Sequence, residues 1–278
     1  MGATPRYAVK TPPHHATWPE FLGFWQAADQ IDLFESAWNW DHFYPLAPPF
    51  DGPNLEGWTM LAALAQATTR LRIGAMVNGM HHRHPAVTAN MAATLDHIAG
   101  GRFELGLGAG WNEMETDAYG LRLGPLKERF DRFDEGIEVI RSLLDQRETN
   151  FSGTFFQLSG AWCEPKPIQA KLPIVVGGKG PRRTLRTVAR WADQWDMTFP
   201  TDPAAWQALD EVLRQHCADV GRDQAEITRS IHLAVPGDVG AATDVARGFF
   251  DAGVDVVVWG FAVGPDPSRL EALGEALR

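Results

Sequence analysis

Short apolar runs alternate with longer stretches of helical period along this chain, and they do so eight times. Residues 7–10 predict a strand, closed by Thr11, Pro12 and Pro13. Residues 18–31 predict a helix, because Phe21, Leu22, Trp25 and Ala28 recur at helical spacing. The same reading pairs strands at 34–38 and 71–77 with helices at 55–68 and 85–98. A strand beginning at Phe103 pairs with a helix at 126–144. Pro85 suits a first helical position, and Gly100-Gly101 a helix stop. Four further pairs follow: 174–176 with 181–192, 194–197 with 203–220, 231–235 with 241–252, and 255–259 with 268–277. Residues 146–172 break the rhythm with a hairpin at 151–158 around Ser152-Gly153, then Pro165 and Pro167. They read as an insertion that covers the mouth of an active site. Strand then helix, eight times over, predicts an α/β fold of the (β/α)8 TIM-barrel type. It would be a single domain over 1–278, with the insertion between its fourth helix and fifth strand. An open doubly wound sheet is the alternative.

Composition narrows the class. At 278 residues and 45% hydrophobic, the chain is long enough for a barrel with a large core. A net charge of −10 argues against nucleic acid as a partner. Two cysteines, Cys163 and Cys217, are too few for a disulfide scaffold and point to a reducing compartment. The first residues lack the apolar core of a signal peptide, and no apolar run reaches the roughly 20 residues of a membrane span. The expectation is a cytoplasmic protein acting on a small molecule. Eleven tryptophans are enough to fill core positions and still line a pocket for a flat ligand.

Barrel chemistry sits at the C-terminal ends of strands, and that rule selects residues 11–13, 39–42, 78–84, 108–113, 177–180, 198–199, 236–237 and 260–261, of which four stretches stand out. Residues 101–120 begin with strand alternation at Phe103, Leu105 and Leu107, then break into Gly106, Gly108 and Gly110 followed by Trp111 and Asn112. A backbone bare of side chains there leaves room for something flat or charged; a tight rim turn without a ligand is the bland alternative. Gly177, Gly178, Lys179 and Gly180, before a helix opened by Pro181, suit a phosphate, although the GxxxxGK[ST] spacing of a Walker loop is absent. Asp41-His42 offers a group that titrates near neutrality, with Asp41 placed to orient the imidazole. His82 and His84 form an HxH with Asp196 as a further donor, the basis of an alternative metal-dependent hydrolase reading that also enlists His42; otherwise these histidines sit at the surface or a helix start.

Several stretches together resemble the luciferase-like monooxygenase superfamily, and within it the branch that uses the deazaflavin coenzyme F420. They are Asn39-Trp40-Asp41-His42, Leu55-Glu56-Gly57-Trp58-Thr59, Arg83-His84-Pro85-Ala86, the whole of 101–120, Arg129-Phe130-Asp131-Arg132, Pro165-Lys166-Pro167 and Val176-Gly177-Gly178. The resemblance implies a barrel holding coenzyme F420 across its C-terminal face, with FMN as the alternative cofactor and a homodimer as the assembly. It makes His42 the catalytic residue, a proton donor or hydrogen-bond partner beside the ring, with Asp41 in the cofactor site. It places a non-proline cis peptide under the ring within Ala75, Met76, Val77 and Asn78. It runs Gly108, Ala109, Gly110, Trp111 and Asn112 along the ring and ribityl chain, and sets the phosphate at Gly177 to Gly180, with no metal. Trp111 stands where a sugar-phosphate dehydrogenase of that branch carries a catalytic glutamate. That departure favours an apolar pocket and reduction of an alkene or carbonyl. Glu113 and Glu115 read as helix-start carboxylates. A coenzyme-binding protein without turnover is a further alternative.

Overall fold

The described part of the computed structural model, residues 4–262 and 264–278, closes a ring of parallel strands. In chain order the first half comprises β1 (Arg6–Lys10), α1 (Trp18–Gln30), β2 (Phe34–Asn39), α2 (Gly57–Ala67), β3 (Arg72–Ala75), β4 (Asn78–Gly79), α3 (Pro85–Ile98), β5 (Phe103–Gly108), α4 (Glu113–Ala118) and α5 (Leu126–Asp145). A hairpin of β6 (Thr149–Ser152) and β7 (Gln157–Ala161) follows. Then come β8 (Ile174–Gly177), α6 (Thr184–Trp191), β9 (Gln194–Thr198), α7 (Pro203–Val220), β10 (Thr228–Ala234), α8 (Ala242–Ala252), β11 (Val256–Gly260) and α9 (Pro267–Ala276). The order around the ring is β3-β2-β1-β11-β10-β9-β8-β5, and β3 pairs with β5 to close it. That closure makes the fold a TIM barrel rather than an open sheet.

Period-two alternation divides each strand between two cores. Tyr7 and Val9, Trp195 and Met197, Ile231 and Leu233, and Val257 and Trp259 face outward into one large cluster shared with the helices. Ala8, Trp38, Val175, Val256 and Val258 face inward and fill the barrel interior with Met76. Continuing the inward series toward the C-terminal end reaches Lys10 on β1, Asp196 and Thr198 on β9, His232 on β10 and Gly260 on β11. Helix ends follow local chemistry. Asp202 caps α7 by accepting from Ala205 N at 2.8 Å, Pro203 opens it, and Gly221 at φ +68° ends it. No helix among the described residues is long and apolar enough to cross a membrane.

Three expectations are corrected. The strand expected at 71–77 is broken: β3 ends at Ala75, the Met76–Val77 peptide is cis, and β4 resumes at Asn78. Bonds from Met76 N to Asn39 O (2.9 Å) and from Asn78 Nδ2 to Gly106 O (2.7 Å) tie the break to both neighbouring strands. The helix expected from Pro181 begins at Thr184, because Pro181 to Arg183 form a turn whose Arg183 is pinned to Asp131 and Asp134 of α5, both at 2.8 Å. The insertion does not cover the mouth. It leaves the C-terminus of α5, at the end of the barrel opposite the mouth, and packs along the outer wall. There Glu135 of α5 accepts from Thr154 N and Phe155 N at 2.8 Å, and Gln169 Nε2 donates to Asp96 of α3 at 2.7 Å.

Val77 projects into the space bounded by β5 and β8. A Cβ added to Gly108 would lie 2.8 Å from Val77 Cγ2, and one added to Gly177 would lie 3.0 Å from Val77 Cγ1. One added to Gly106 would collide with the Ala75 carbonyl oxygen. Gly106→Ala should therefore cost about 2 kcal/mol or more by overpacking, read as a lowered urea midpoint at unchanged m-value.

Candidate active site

A cavity of about 450 Å³ opens at the C-terminal ends of the strands. Asp41, His42, Met76, Val77, Asn78, Gly108, Ala109, Gly110, Trp111, Asn112, Gly177 and Gly178 all border it. Ala75 is buried behind the wall, Lys179 is exposed, and neither it nor Gly180 lines the cavity. The bare rim is partly filled by the protein itself. Val77 occupies the space that Gly106, Gly108 and Gly177 leave, and His81 occupies the space beside Gly110, whose φ of +89° also favours glycine. The usable surface is the Val77 side chain together with the glycine backbone around it.

One wall is a network of histidines and carboxylates. His42 Nδ1 lies 3.0 Å from Glu115 Oε2, and Glu115 is fully buried. The other Glu115 oxygen is 3.4 Å from His82 Nε2, and His82 Nδ1 is 3.1 Å from Asp41 Oδ2. Arg83 donates to both Asp41 oxygens, at 2.9 and 2.7 Å, and to Glu56 Oε1 at 2.9 Å. The chain of contacts thus runs from the cavity to a half-exposed carboxylate at the surface. Burial opposes the Asp41 charge, but the hydrogen bonds and charges of His82 and Arg83 outweigh it and hold the carboxyl below its usual range. His81 is pulled down to about 3, chiefly by burial and then by the neighbouring His82, so its ring is neutral. Thr116 Oγ1 donates to Asn112 O at 2.6 Å, so its 3.2 Å contact with His81 is a bond it accepts from Nε2–H.

These distances revise several roles. Asp41 was expected to orient His42, but adjacent residues point apart in extended chain, and Asp41 serves His82 and Arg83 instead. Glu113 and Glu115 lie in the first turn of α4 as expected, and the buried Glu115 in addition braces His42. The HxH pair is divided: His82 joins the network, while His84 Nδ1 accepts from Ala86 N at 3.2 Å and caps α3. They share no ligand geometry. Trp111 is 61% exposed and sets its ring edge-on to His42, with centroids 5.4 Å apart.

A second polar cluster is only partly legible in the sequence: Asp196 enters there only as a metal donor and Thr198 only as a strand end, while Lys10 and His232 are passed over. Lys10, Asp196, Thr198 and His232 border the cavity from β1, β9 and β10. Burial pushes the Asp196 carboxyl up to about 6, against the pull of the Lys10 ammonium and the hydrogen bond from Ser230. The available signal was a polar residue at an inward position of an otherwise apolar strand. Glu115 left less: α4 has six residues, too few for a readable period.

The barrel, its cavity and the wall of titratable side chains define a small-molecule enzyme site of the kind barrels carry at this face. The sequence profile of the luciferase-like monooxygenases matches residues 4–273, and the chain belongs to that family. An uncharacterized protein of Mycobacterium tuberculosis is 31% identical over 218 residues, covering 78% of this chain and 72% of that one. A phthiodiolone/phenolphthiodiolone dimycocerosates ketoreductase of the same organism is 34% identical over 222 residues, covering 73% and 57%. The pyrimidine monooxygenase RutA of Allorhizobium ampelinum is 39% identical over 142 residues, covering 50% and 38%. Among solved structures, an F420-dependent secondary alcohol dehydrogenase superposes with a TM-score of 0.85 at 18% identity over 99% of both chains. The F420-dependent tetrahydromethanopterin reductase of Methanopyrus kandleri gives 0.82 at 19%, also over 99% of both. The monooxygenase RslO1 of Streptomyces bottropensis gives 0.76 at 18%, over 98% of both. These three likenesses establish the fold. The family comprises oxidoreductases and monooxygenases.

Two outcomes test the electrostatics. Asp41→Ala, which leaves Arg83 and His82 facing a hole, should cost about 3 kcal/mol in denaturant unfolding at pH 7. Asp196 has a folded pKa above its ordinary 3.8, so its contribution to stability is greatest below that value and is lost as pH rises through about 6. Asp196→Asn removes the loss. Its stability relative to wild type should therefore rise by roughly 3 kcal/mol between about pH 4 and 7, followed by urea midpoints across that range.

Proposed function

We propose that this protein is an oxidoreductase that binds coenzyme F420 in the barrel mouth and reduces a carbonyl or alkene of a small organic substrate, with His42 as the proton donor. The observation that carries the reading is the His42–Glu115 pair. A fully buried carboxylate fixes Nδ1 of His42 at 3.0 Å, which leaves Nε2 for a ligand in the cavity. A donor held in one orientation can deliver a proton to a substrate oxygen or carbon as negative charge develops there.

The cavity residues fit a flat ring with a phosphorylated tail. The Val77 side chain and the glycine backbone beside it make one low-relief face, with His42 and Trp111 across the cavity. Towards β8, Gly177, Gly178 and the Thr184 hydroxyl border the same space. Lys179 stands exposed just beyond them and forms no ion pair with the described residues. Residues 177–180 would hold the phosphate, with Lys179 reaching it from the rim. The bound coenzyme supplies hydride transfer at its ring carbon. The protein's part is to orient the ring against Val77, exclude water with Trp111 and Leu46, and hold the His42 proton. The Glu115–His82–Asp41 contacts keep His42 in place through successive turnovers. FMN has the same ring shape, and the RutA similarity makes it the alternative, with oxygenase chemistry in consequence.

Titrating the protein with coenzyme F420 and with FMN, while following tryptophan fluorescence, ranks the two. The reading requires tighter binding of F420, and binding of FMN alone overturns it. His42→Ala should lower kcat with ketone acceptors by about a hundredfold or more, with the coenzyme Kd unchanged within about threefold.

A further inference from the structure

At the end of β1, the strand beside β2, stands a buried ammonium that no described residue accepts from. Lys10 is 8% exposed and borders the cavity, with its Nζ 5.9 Å from the centroid of the Trp40 ring. Around it, Asp196 is fully buried and uses Oδ1 to accept from Ser230 at 2.9 Å, while its Oδ2 has no partner among the described residues. His232 is 5% exposed; its Nδ1 is also without a partner and lies 3.9 Å from Asp196 Oδ2, beyond hydrogen-bond reach. Three polar groups buried in one small patch, and short of partners, are costly to folding. Such an arrangement is expected where a ligand completes it.

We propose that Lys10, backed by Asp196 and His232, forms a recognition subsite for a neutral oxygen-bearing group, a hydroxyl or a ketone oxygen, on the substrate, separate from the group that reacts. The subsite follows from the geometry alone; giving its occupant to a substrate rests on the oxidoreductase reading above. Charge selects the class of group. Burial lowers the Lys10 ammonium to about 8, with Asp196 pulling the other way, so it is still charged at neutral pH. Asp196, titrating near 6, is then ionised, and burial keeps His232 neutral. One positive and one negative charge leave the patch with no net charge to draw in an anion, and a ligand carboxylate near it would be repelled by Asp196. A hydroxyl or ketone oxygen accepts from Lys10 Nζ without adding charge. The substrate class is therefore bifunctional: a carbonyl or conjugated alkene at His42, and a second neutral oxygen at Lys10.

Three probes of similar size separate the possibilities: cyclohexanone, 4-hydroxycyclohexanone and 4-oxocyclohexanecarboxylate. Binding to the full-length protein is read by calorimetry and tryptophan fluorescence, with and without coenzyme F420. The hydroxyl probe should bind about tenfold tighter than the other two. Lys10→Met should erase that preference to within about twofold, while Lys10→Gln, which keeps a donor, should retain part of it. Circular dichroism of both variants checks that they fold. Absence of binding by every probe, equal affinities in the wild type, preference for the carboxylate, or a Lys10→Met variant that loses affinity for F420 and not for the probe would each overturn the subsite. If F420 fails to bind while the probe preference persists in the coenzyme-free protein, the subsite stands and the oxidoreductase reading falls.

Discussion

The shape of the mouth depends on how closely three segments approach one another around Val77. The third barrel strand is interrupted after Ala75, and the interruption drives Val77 between β5 and β8. Those strands accept it only because Gly106, Gly108 and Gly177 present no Cβ towards it. Close packing in a protein interior leaves little room to relax, so the glycines and the bulge are one unit. The result is a surface at the strand ends that is apolar, shallow and bare on one side. Everything else at the site is arranged around that surface.

Two polar walls flank it, and they differ in kind. On the β2 side, each charged group has an opposite partner: His42 with Glu115, His82 with Asp41, Arg83 with Asp41 and Glu56. Such a network fixes orientation, because moving any member leaves a buried charge uncompensated. On the β9 and β10 side, the groups are near one another but incompletely bonded. A cavity with one ion-paired wall and one cluster lacking close ion pairs has a built-in polarity. The first is suited to holding a proton at a fixed point, the second to meeting a ligand of complementary shape.

Much of this architecture was present in the one-dimensional pattern. Eight strand–helix pairs gave the barrel, and the glycine-rich segment after Phe103 marked the cavity. His42 stood out because it follows a strand. The less accessible part was pairing. Asp41 is adjacent to His42 in sequence but faces His82; Glu115 is 73 positions away and makes the contact instead. His82 and His84 share a spacing that suggests a joint role, yet one turns into the network and the other caps a helix. Spacing along a loop does not specify the direction of a side chain, because each backbone torsion there is set by contacts from elsewhere.

The sequence by itself determined the order of strands and helices, the closure they imply, and the end of the barrel where chemistry belongs. These follow from hydrophobic period and from the short connections that period allows, both local properties of the chain. Only the tertiary structure decided what fills the glycine gap, which carboxylate braces His42, and that Lys10, Asp196 and His232 meet at one wall. Residues 196 and 232 lie on consecutive paired strands, but Lys10 on β1 joins them only when β1 pairs with β11, and no local pattern encodes a contact which that pairing creates.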